Sequence, residues 1–387
     1  FVFGPSGSGK SYQLYDYVIR ESVKFPDRQY IVLVPEQFTM QTQRQLVDLS
    51  ENKAIMNIDV LSFKRLAYRV FDELGITNLT VLEETGKNLV LRKLAAQEAD
   101  KLGVIGRNLN RIGYISEVKS LLSELVQYNI SPEGLGRYIA SGRLSDTLSD
   151  KLKDVLVLYE AFEKFMQDKY ITAEEILNVL SNVAEESAIL RNSVIAFDEF
   201  TGFTPIQNQL IKKLFVISKK IYVTLTIDCR EDIFKSRGMQ ELFDMPKRTV
   251  KSLTEMAAFY GIEVEEPIIL DKNYRLAENE ELSFMEQQLF RKRRCSFKKA
   301  PKHIHIDCLR DPKQELTKIA RRINELVRNE NLRYRDIAIV TGDVNIYAGY
   351  VREIFDKYNI PYFIDATQEI LFHPFIEFIR SIPDIAA

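Results

Sequence analysis

The chain opens with FVFGPSGSGKS, residues 1–11, in which a short apolar strand runs into a glycine-rich turn followed by lysine and serine. The turn is a full match to the phosphate-binding pattern GxxxxGK[ST], in the strand-and-helix context that the pattern requires. The matching residues are Gly4, Pro5, Ser6, Gly7, Ser8, Gly9, Lys10 and Ser11. In such a loop the backbone N–H groups face phosphates at a helix N-terminus, Lys10 reaches the β and γ phosphates, and Ser11 binds Mg²⁺. We therefore predict an α/β fold that binds ATP and Mg²⁺; the alternative is a glycine turn without nucleotide.

An acidic pair follows an apolar run in SVIAFDEF, residues 193–200. Four consecutive apolar residues are typical of a central parallel strand, and the pair stands where that strand would end. Beside a phosphate loop, Asp198 would hold Mg²⁺ through its water shell and Glu199 would polarise an attacking water. The alternative for a lone pair of this kind is a solvated strand end.

The periodicity of the apolar residues divides the first part of the chain into three ranges. Residues 1–85 alternate strands with helices, which indicates a parallel sheet covered on both faces. Residues 86–185 have helical spacing, with a capping box at Thr172 and Glu175. Residues 186–290 return to the α/β pattern, so we predict an all-helical insertion within one domain. The stripe that predicts a buried helix face consists of Leu148, Leu152, Val155, Tyr159, Phe162 and Met166.

The basic run RKRRCSFKK, residues 291–299, predicts a connector over 291–300 that is either a solvated linker or a nucleic-acid contact. After it, HIHIDCL, RDIAIVT and IPYFID have strand patterns, and Asp311 with Pro312 predicts the start of a helix. We interpret residues 301–387 as the start of a second α/β domain. The truncated second domain and the missing initiator Met lead us to expect a fragment of a longer protein.

Composition excludes several classes of protein. The net charge of −2 gives no overall attraction to polyanions, so nucleic-acid contacts must come from local patches. The three cysteines are far apart and form no CxxC pair, which disfavours a disulfide framework or a zinc site. No apolar stretch approaches the roughly 20 residues of a membrane span, and no signal peptide is visible. We expect a cytoplasmic protein with no membrane partner.

The order of these motifs resembles a superfamily 1 helicase. More narrowly, GPSGSGKS, LVPEQFT, VLSFKRLAYRVF, FDEFTGFTPIQ and IPYFIDATQEILFHPFIEFIRS resemble the N-terminal helicase-like part of the B subunit of AddAB-type (RexAB-type) helicase-nucleases. The resemblance implies two RecA-like domains, and a bacterial heterodimer with an AddA-type subunit that processes DNA double-strand breaks for recombination. It also implies a B subunit that scans 3′-ended single-stranded DNA for the Chi hotspot. A C-terminal 5′-to-3′ exonuclease domain, held by an iron–sulfur cluster, would lie outside this sequence.

The family's Chi-reading positions fall on specific residues of this chain. Gln37 and Thr39 match its polar base-reading pair, and Phe63 and Arg65 match its stacking and hydrogen-bonding pair. Tyr68 stands where a relative has tryptophan. Phe203 matches a further aromatic contact. Aromatic stacking and edge contacts from amide or guanidinium groups suit single-stranded bases. The same spacing also suits an amphipathic helix whose core residues are Phe63, Leu66, Ala67 and Val70.

Two segments bear on whether the loop drives movement. Active helicases of this class carry a GDxxQ-type motif after the acidic strand, whereas this chain has TLTIDCRED, with Asp228 and no nearby glutamine. They also place an arginine after the first strand of the second domain, where this chain has VTGDVNIY. These changes favour a nucleotide-binding DNA reader, and the intact acidic pair leaves slow hydrolysis open. The alternatives are an ATP-driven translocase and a scaffold that binds nucleotide only for stability.

Overall fold

The computed structural model describes residues 1–77, 80–104, 113–142, 144–166, 170–290, 295–366 and 373–386. The chain divides into two compact units, Phe1–Ser296 and Phe297–Ala387. The basic connector predicted over 291–300 spans this division, and residues 291–294 of it lie outside the described residues. In the described ranges no helix is both long and apolar enough to cross a membrane.

A parallel six-stranded sheet with the order β3-β2-β6-β7-β1-β8 forms the centre of the first unit. Two further short strands, β4 and β5, pair with each other. The strands are β1 (Val2–Gly4), β2 (Gln29–Leu33), β3 (Ile58–Leu61), β4 (Val81–Leu82), β5 (Ile171–Thr172), β6 (Ser193–Phe197), β7 (Lys220–Thr226) and β8 (Ile268–Ile269).

Helices make up most of the remaining regular structure. Within the described ranges they are α1 (Lys10–Lys24), α2 (Thr39–Leu49), α3 (Phe63–Leu74), α4 (Glu84–Gln97), α5 (Tyr114–Gln127), α6 (Pro132–Ala140), α7 (Asp146–Met166), α8 (Ile176–Val183), α9 (Ala188–Arg191), α10 (Pro205–Ile217), α11 (Asp244–Phe259), α12 (Glu280–Gln288), α13 (Pro312–Asn329), α14 (Val344–Lys357) and α15 (Pro374–Ala386).

The central strands are buried on both faces, which explains their continuous apolar sequence. Successive side chains of a strand point to opposite faces. Ile31 and Ile195 accordingly join one core with α3, α8, α10 and α11, whereas Val32 and Ala196 join another with α1 and α2. The predicted α/β fold, with a parallel sheet between helices, is confirmed.

The helices α4, α5, α6 and α7 share a core of their own. They come between β3 and β6 in the chain, in the range predicted to be helical. On α7 the residues Val155, Tyr159, Phe162 and Met166 are buried as the spacing predicts, but Leu148 in the first turn is 45% exposed. The predicted capping box is formed, because Glu175 N–H donates to Thr172 Oγ1 over 3.2 Å and Thr172 N–H donates to Glu175 Oε2 over 2.6 Å.

In the second unit the predicted helix is formed and the predicted strands are not. The Asp311 carboxylate accepts from Gln314 N–H over 2.8 Å and caps α13, as predicted. The three segments with strand patterns form no strand within residues 295–366. Strand patterns specify which residues face a core, but a strand also needs a neighbouring backbone to pair with. An apolar cavity of about 880 Å³ lies between α13, α14 and two of these segments, and Val340 and Phe363 are 93% and 88% exposed.

Candidate functional site

The candidate site lies along the edge of the sheet where the parallel strands end. The glycine-rich loop follows β1, the acidic pair follows β6, and residues 273–275 follow β8. The segments at 36–39 and 62–65 follow β2 and β3. Since all six strands run in the same direction, their carboxyl ends meet at one edge, which is the usual position of ligand sites in such sheets.

The backbone of the glycine-rich loop requires its glycines. Gly7 and Gly9 have φ angles of +87° and +86°, a region that other residues rarely adopt. A Cβ atom on Gly4 would lie 2.5 Å from the Leu270 carbonyl oxygen. Lys10 begins α1, so the free N–H groups of this helix and the loop can bind an anion. The Lys10 side chain is 8% exposed and its Nζ donates to the Pro5 carbonyl over 2.9 Å.

The acidic pair lies against this loop. Ser11 Oγ donates to Glu199 Oε1 over 3.4 Å, which brings the two predicted parts of the site together. Asp198 is 1% exposed, and its Oδ1 accepts from the Thr224 hydroxyl. In the described part of the chain its Oδ2 atom has no hydrogen-bond partner. A buried, unsatisfied carboxylate oxygen, next in the chain to the Glu199 that Ser11 contacts, fits a hydrated Mg²⁺, which prefers oxygen ligands.

Electrostatics in this cleft follow from desolvation and from the neighbouring charges. Desolvation lowers the pKa of Lys10, although Asp198 and Glu199 oppose this effect. Desolvation and then the negative charge of Asp198 raise the pKa of the Glu199 carboxyl. Glu199 also has a φ angle of +63°, a strained conformation for a side chain of this kind. A carboxylate with a raised pKa is a better proton acceptor, as the predicted role of Glu199 requires.

Residues 273–275, which match no motif in the sequence, contact the loop. Asn273 Nδ2 donates to the Ser6 carbonyl over 2.9 Å, and the backbone N–H groups of Tyr274 and Arg275 donate to the Gly7 carbonyl over 3.0 and 3.3 Å. Arg275 Nη1 donates to Ser6 Oγ over 3.5 Å, and its charge acts on both Lys10 and Glu199. The sequence signal for this segment is weak, because the preceding strand β8 has only two residues. The polar residues 273–275 therefore could not be recognised as following a strand.

The arrangement is chemically suited to a nucleoside triphosphate with Mg²⁺. Backbone N–H groups, Lys10 and Arg275 would supply positive charge for phosphates, and Ser11 and Asp198 would supply oxygen atoms for the metal or its water shell. The ring of Tyr274 is 63% exposed beside Gly9 and offers an apolar face to a ligand. Asp228, by contrast, is 3% exposed and accepts from Arg230 Nε over 2.7 Å at the end of β7.

The residues selected for DNA contact lie at the ends of β2, β3 and β6. Gln37 is exposed in a 3-10 turn, Glu36–Phe38, directly after β2, and Thr39 is buried at the start of α2. Arg65 and Tyr68 are exposed on α3. The two segments are joined, because Arg65 Nε donates to Glu36 Oε1 over 3.0 Å.

Phe63 is not exposed in the way that direct stacking requires. It is 7% exposed and packs with Phe197, Phe200 and Phe203, with ring centroids 5.1–6.3 Å apart within the group. Phe203 is half-buried in the same group. The structure therefore leaves Gln37, Arg65 and Tyr68 exposed and buries Phe63 in the aromatic group. The aromatic group also adjoins the acidic pair, since Phe197 and Phe200 flank Asp198 and Glu199 in the chain.

The fold and site define an α/β protein whose parallel sheet carries a glycine-rich anion loop and an acidic pair at its carboxyl edge. Residues 1–286 match the family described as "ADDB, N-terminal", and the chain belongs to this family. The resemblance seen in the sequence motifs is thereby confirmed.

Curated relatives agree with this assignment. The protein from Lachnoclostridium phytofermentans that is named as the B subunit of ATP-dependent helicase/deoxyribonuclease is 39% identical over all of this chain, which covers 34% of that relative. Proteins of the same name from Clostridioides difficile and Clostridium tetani are 34% and 33% identical over 98% of this chain, which covers 33% of each. The chain thus spans about a third of the length of the relatives it matches.

Proposed function

We propose that this chain is the ATP-binding, helicase-like part of a helicase-nuclease subunit that processes DNA double-strand breaks for homologous recombination. The observation that carries this proposal is the meeting of Lys10, Ser11, Asp198, Glu199 and Arg275 at one edge of the sheet, in a chain of the AddB family. The relatives are named as the B subunit of an ATP-dependent enzyme, which supports both the nucleotide and a partner chain.

In this proposal each side chain has a defined task toward the nucleotide. Lys10 and the loop N–H groups hold the phosphates, and Arg275 adds positive charge from the other side of the loop. Ser11 and Asp198 hold Mg²⁺, which when bound neutralises phosphate charge. Glu199 would polarise an attacking water through its carboxylate. Asp228 is ion-paired with Arg230, and the glutamine of a GDxxQ-type motif is missing nearby. Both features support a nucleotide clamp with little motor activity.

The proposed DNA role is to read single-stranded DNA. Exposed Gln37 and Arg65 offer hydrogen-bonding groups to base edges, and Tyr68 offers a ring face, while Thr39, Phe63 and Phe203 lie in the buried or half-buried parts of these segments. By family resemblance the strand is the 3′-ended strand, scanned for Chi, and the partner is an AddA-type subunit in the bacterial cytoplasm. The C-terminal exonuclease domain with its iron–sulfur cluster belongs to the same proposal for the full-length polypeptide.

A second candidate is an active ATP-driven DNA translocase. Arg275 favours it, because an arginine near the terminal phosphate accelerates phosphoryl transfer in many nucleotide hydrolases. DNA-stimulated ATPase activity of the full-length polypeptide that disappears in Lys10→Ala would establish this candidate over the clamp.

Nucleotide binding is tested with a fluorescent ATP analogue and Mg²⁺. We expect Lys10→Ala to weaken binding by about tenfold or more, because a charge-assisted contact contributes about 1.5–3 kcal/mol. Lys24→Ala at the exposed end of the same helix is the matched control and should bind like the unmodified protein. Equal binding by Lys10→Ala and Lys24→Ala would contradict the proposed site.

A further inference from the structure

The guanidinium of Arg65 is held by a carboxylate that the proposed DNA contacts do not include. Arg65 Nε and Glu36 Oε1 are 3.0 Å apart, and the two side chains are 52% and 56% exposed. Glu36 begins the turn after β2 beside Gln37, and Arg65 lies in the first turn of α3 after β3. Because β2 and β3 are paired parallel strands, this ion pair bridges the two segments that carry the proposed base-reading side chains.

Local hydrogen bonds hold the backbone of both residues of the pair. The Thr39 hydroxyl donates to the Glu36 carbonyl over 3.0 Å, and Arg65 N–H donates to Ser62 Oγ over 3.4 Å. The ion pair therefore sets the direction of the guanidinium. The ion pair is made through Arg65 Nε. Neither Nη nitrogen of Arg65 has a hydrogen-bond partner among the residues that the structure describes. A fork of N–H groups remains for a base edge such as the O6 and N7 atoms of guanine.

The charges of the ion pair distinguish the phosphates of single-stranded DNA from its base edges. A phosphate that approaches Arg65 also meets the negative charge of Glu36, whereas a base edge is neutral and meets no such repulsion. An exposed ion pair is weak, so it orients Arg65 without preventing a contact with a base.

We infer that Glu36 is a specificity-determining positioning residue that directs Arg65 toward base edges and away from the phosphate backbone. The inference rests on the proposed DNA reading by Arg65. Its chemical target is single-stranded DNA that contains guanine, in preference to the same length of oligothymidine.

The test compares variants of the full-length polypeptide in binding a labelled oligothymidine and a labelled guanine-containing strand of equal length. Glu36→Gln removes the charge but keeps an oxygen that can accept from Arg65. We expect it to tighten oligothymidine binding by about fivefold at low salt. The slope of log affinity against log salt should steepen by about 0.7, the value for one added phosphate contact. The preference for guanine should fall. Asp48→Asn, an equal charge change at an exposed ion pair on α2, is the control.

The outcomes separate this inference from the proposed function. An Arg65→Ala variant that keeps the guanine preference of the unmodified protein would contradict DNA reading by Arg65, and the inference with it. If Arg65→Ala loses the preference but Glu36→Gln behaves like Asp48→Asn, DNA reading stands and the role of Glu36 is wrong. When Glu36→Gln is added to Arg65→Ala, it should change oligothymidine affinity no more than Asp48→Asn does, because Glu36 acts through Arg65.

Discussion

Arg275 shows how one residue can complete a site from a distant part of the sequence. It lies 265 positions after Lys10 in the chain, yet it contacts the loop because β8 pairs in parallel with β1. No sequence motif predicted an arginine at this loop, because active helicases of this class place theirs after the first strand of the second domain. The close approach also depends on Gly7, since a Cβ atom there would lie 2.7 Å from the Arg275 Cβ atom.

We expect Arg275→Ala to weaken binding of an ATP analogue by about tenfold, and of the matching ADP analogue by much less. The physical reason is that the guanidinium adds charge near Lys10 and Glu199, where a terminal phosphate would be held, and one charge-assisted contact corresponds to about one decade of affinity. Fluorescence titrations with both analogues measure the difference. Arg44→Ala, which removes an exposed ion pair on α2, should change neither affinity. Equal losses for the two analogues would show that Arg275 acts on the loop rather than on the terminal phosphate.

The elements that depend on neighbouring residues in the chain were predicted from the sequence. Those that depend on pairing with distant segments were not. The run SVIAF predicted β6, and the capping box at Thr172 was found, because both depend on neighbours in the chain. The amphipathic interpretation of α3 predicted the burial of Phe63, Leu66 and Val70, and these residues are 7%, 0% and 0% exposed. The two-residue β8 and the unpaired segments of the second unit depend on which backbones meet, and residue patterns do not specify that.

The helix α4 is tied to the chain ahead of α8 by a buried charge network. Lys87 Nζ donates to both carboxylate oxygens of Glu174, over 2.9 and 2.8 Å, and lies 2.8 Å from Glu84 Oε1. The Lys87 side chain is 3% exposed. Burial opposes its charge, but Glu174 and Glu84 together raise its pKa. Burial likewise opposes the charge of Glu174, and the bond from Lys87 lowers its pKa below the ordinary value of 4.5.

We expect Lys87→Met to lower the free energy of unfolding by about 3 kcal/mol near neutral pH, because it leaves the Glu174 charge buried without its partner. The decrease in the free energy of unfolding should be smaller at acid pH. A lowered carboxyl pKa stabilises the folded protein above pH 4.5, and this contribution disappears as the pH falls through the folded-state value. Urea unfolding at neutral and acid pH measures both effects. Lys153→Met removes an exposed pair in the same group of helices and should cost less than about 1 kcal/mol. A pH-independent loss would assign the effect to packing instead.

In the molecule as a whole, one sheet edge serves both proposed ligands. The nucleotide residues follow β1, β6 and β8, and the DNA residues follow β2, β3 and β6. The loop after β6 belongs to both, because Asp198 and Glu199 are followed directly by Phe200 and, three residues later, Phe203. Phe63 packs on these two rings. The aromatic group therefore adjoins residues of both proposed sites.

The division at Ser296 predicts that the first unit keeps the nucleotide site by itself. Every residue assigned to that site lies within Phe1–Ser296, and domain boundaries usually fall where few contacts cross. Lys and Arg are concentrated at 291–299, so we expect brief trypsin treatment to cut there before it cuts within the sheet. The resulting fragment, identified by mass spectrometry, should bind the ATP analogue within about threefold of the intact chain, which is less than 1 kcal/mol. First cleavage within residues 1–290 would contradict the predicted boundary, and a fragment that no longer binds would mean that the second unit contributes to the binding of the first.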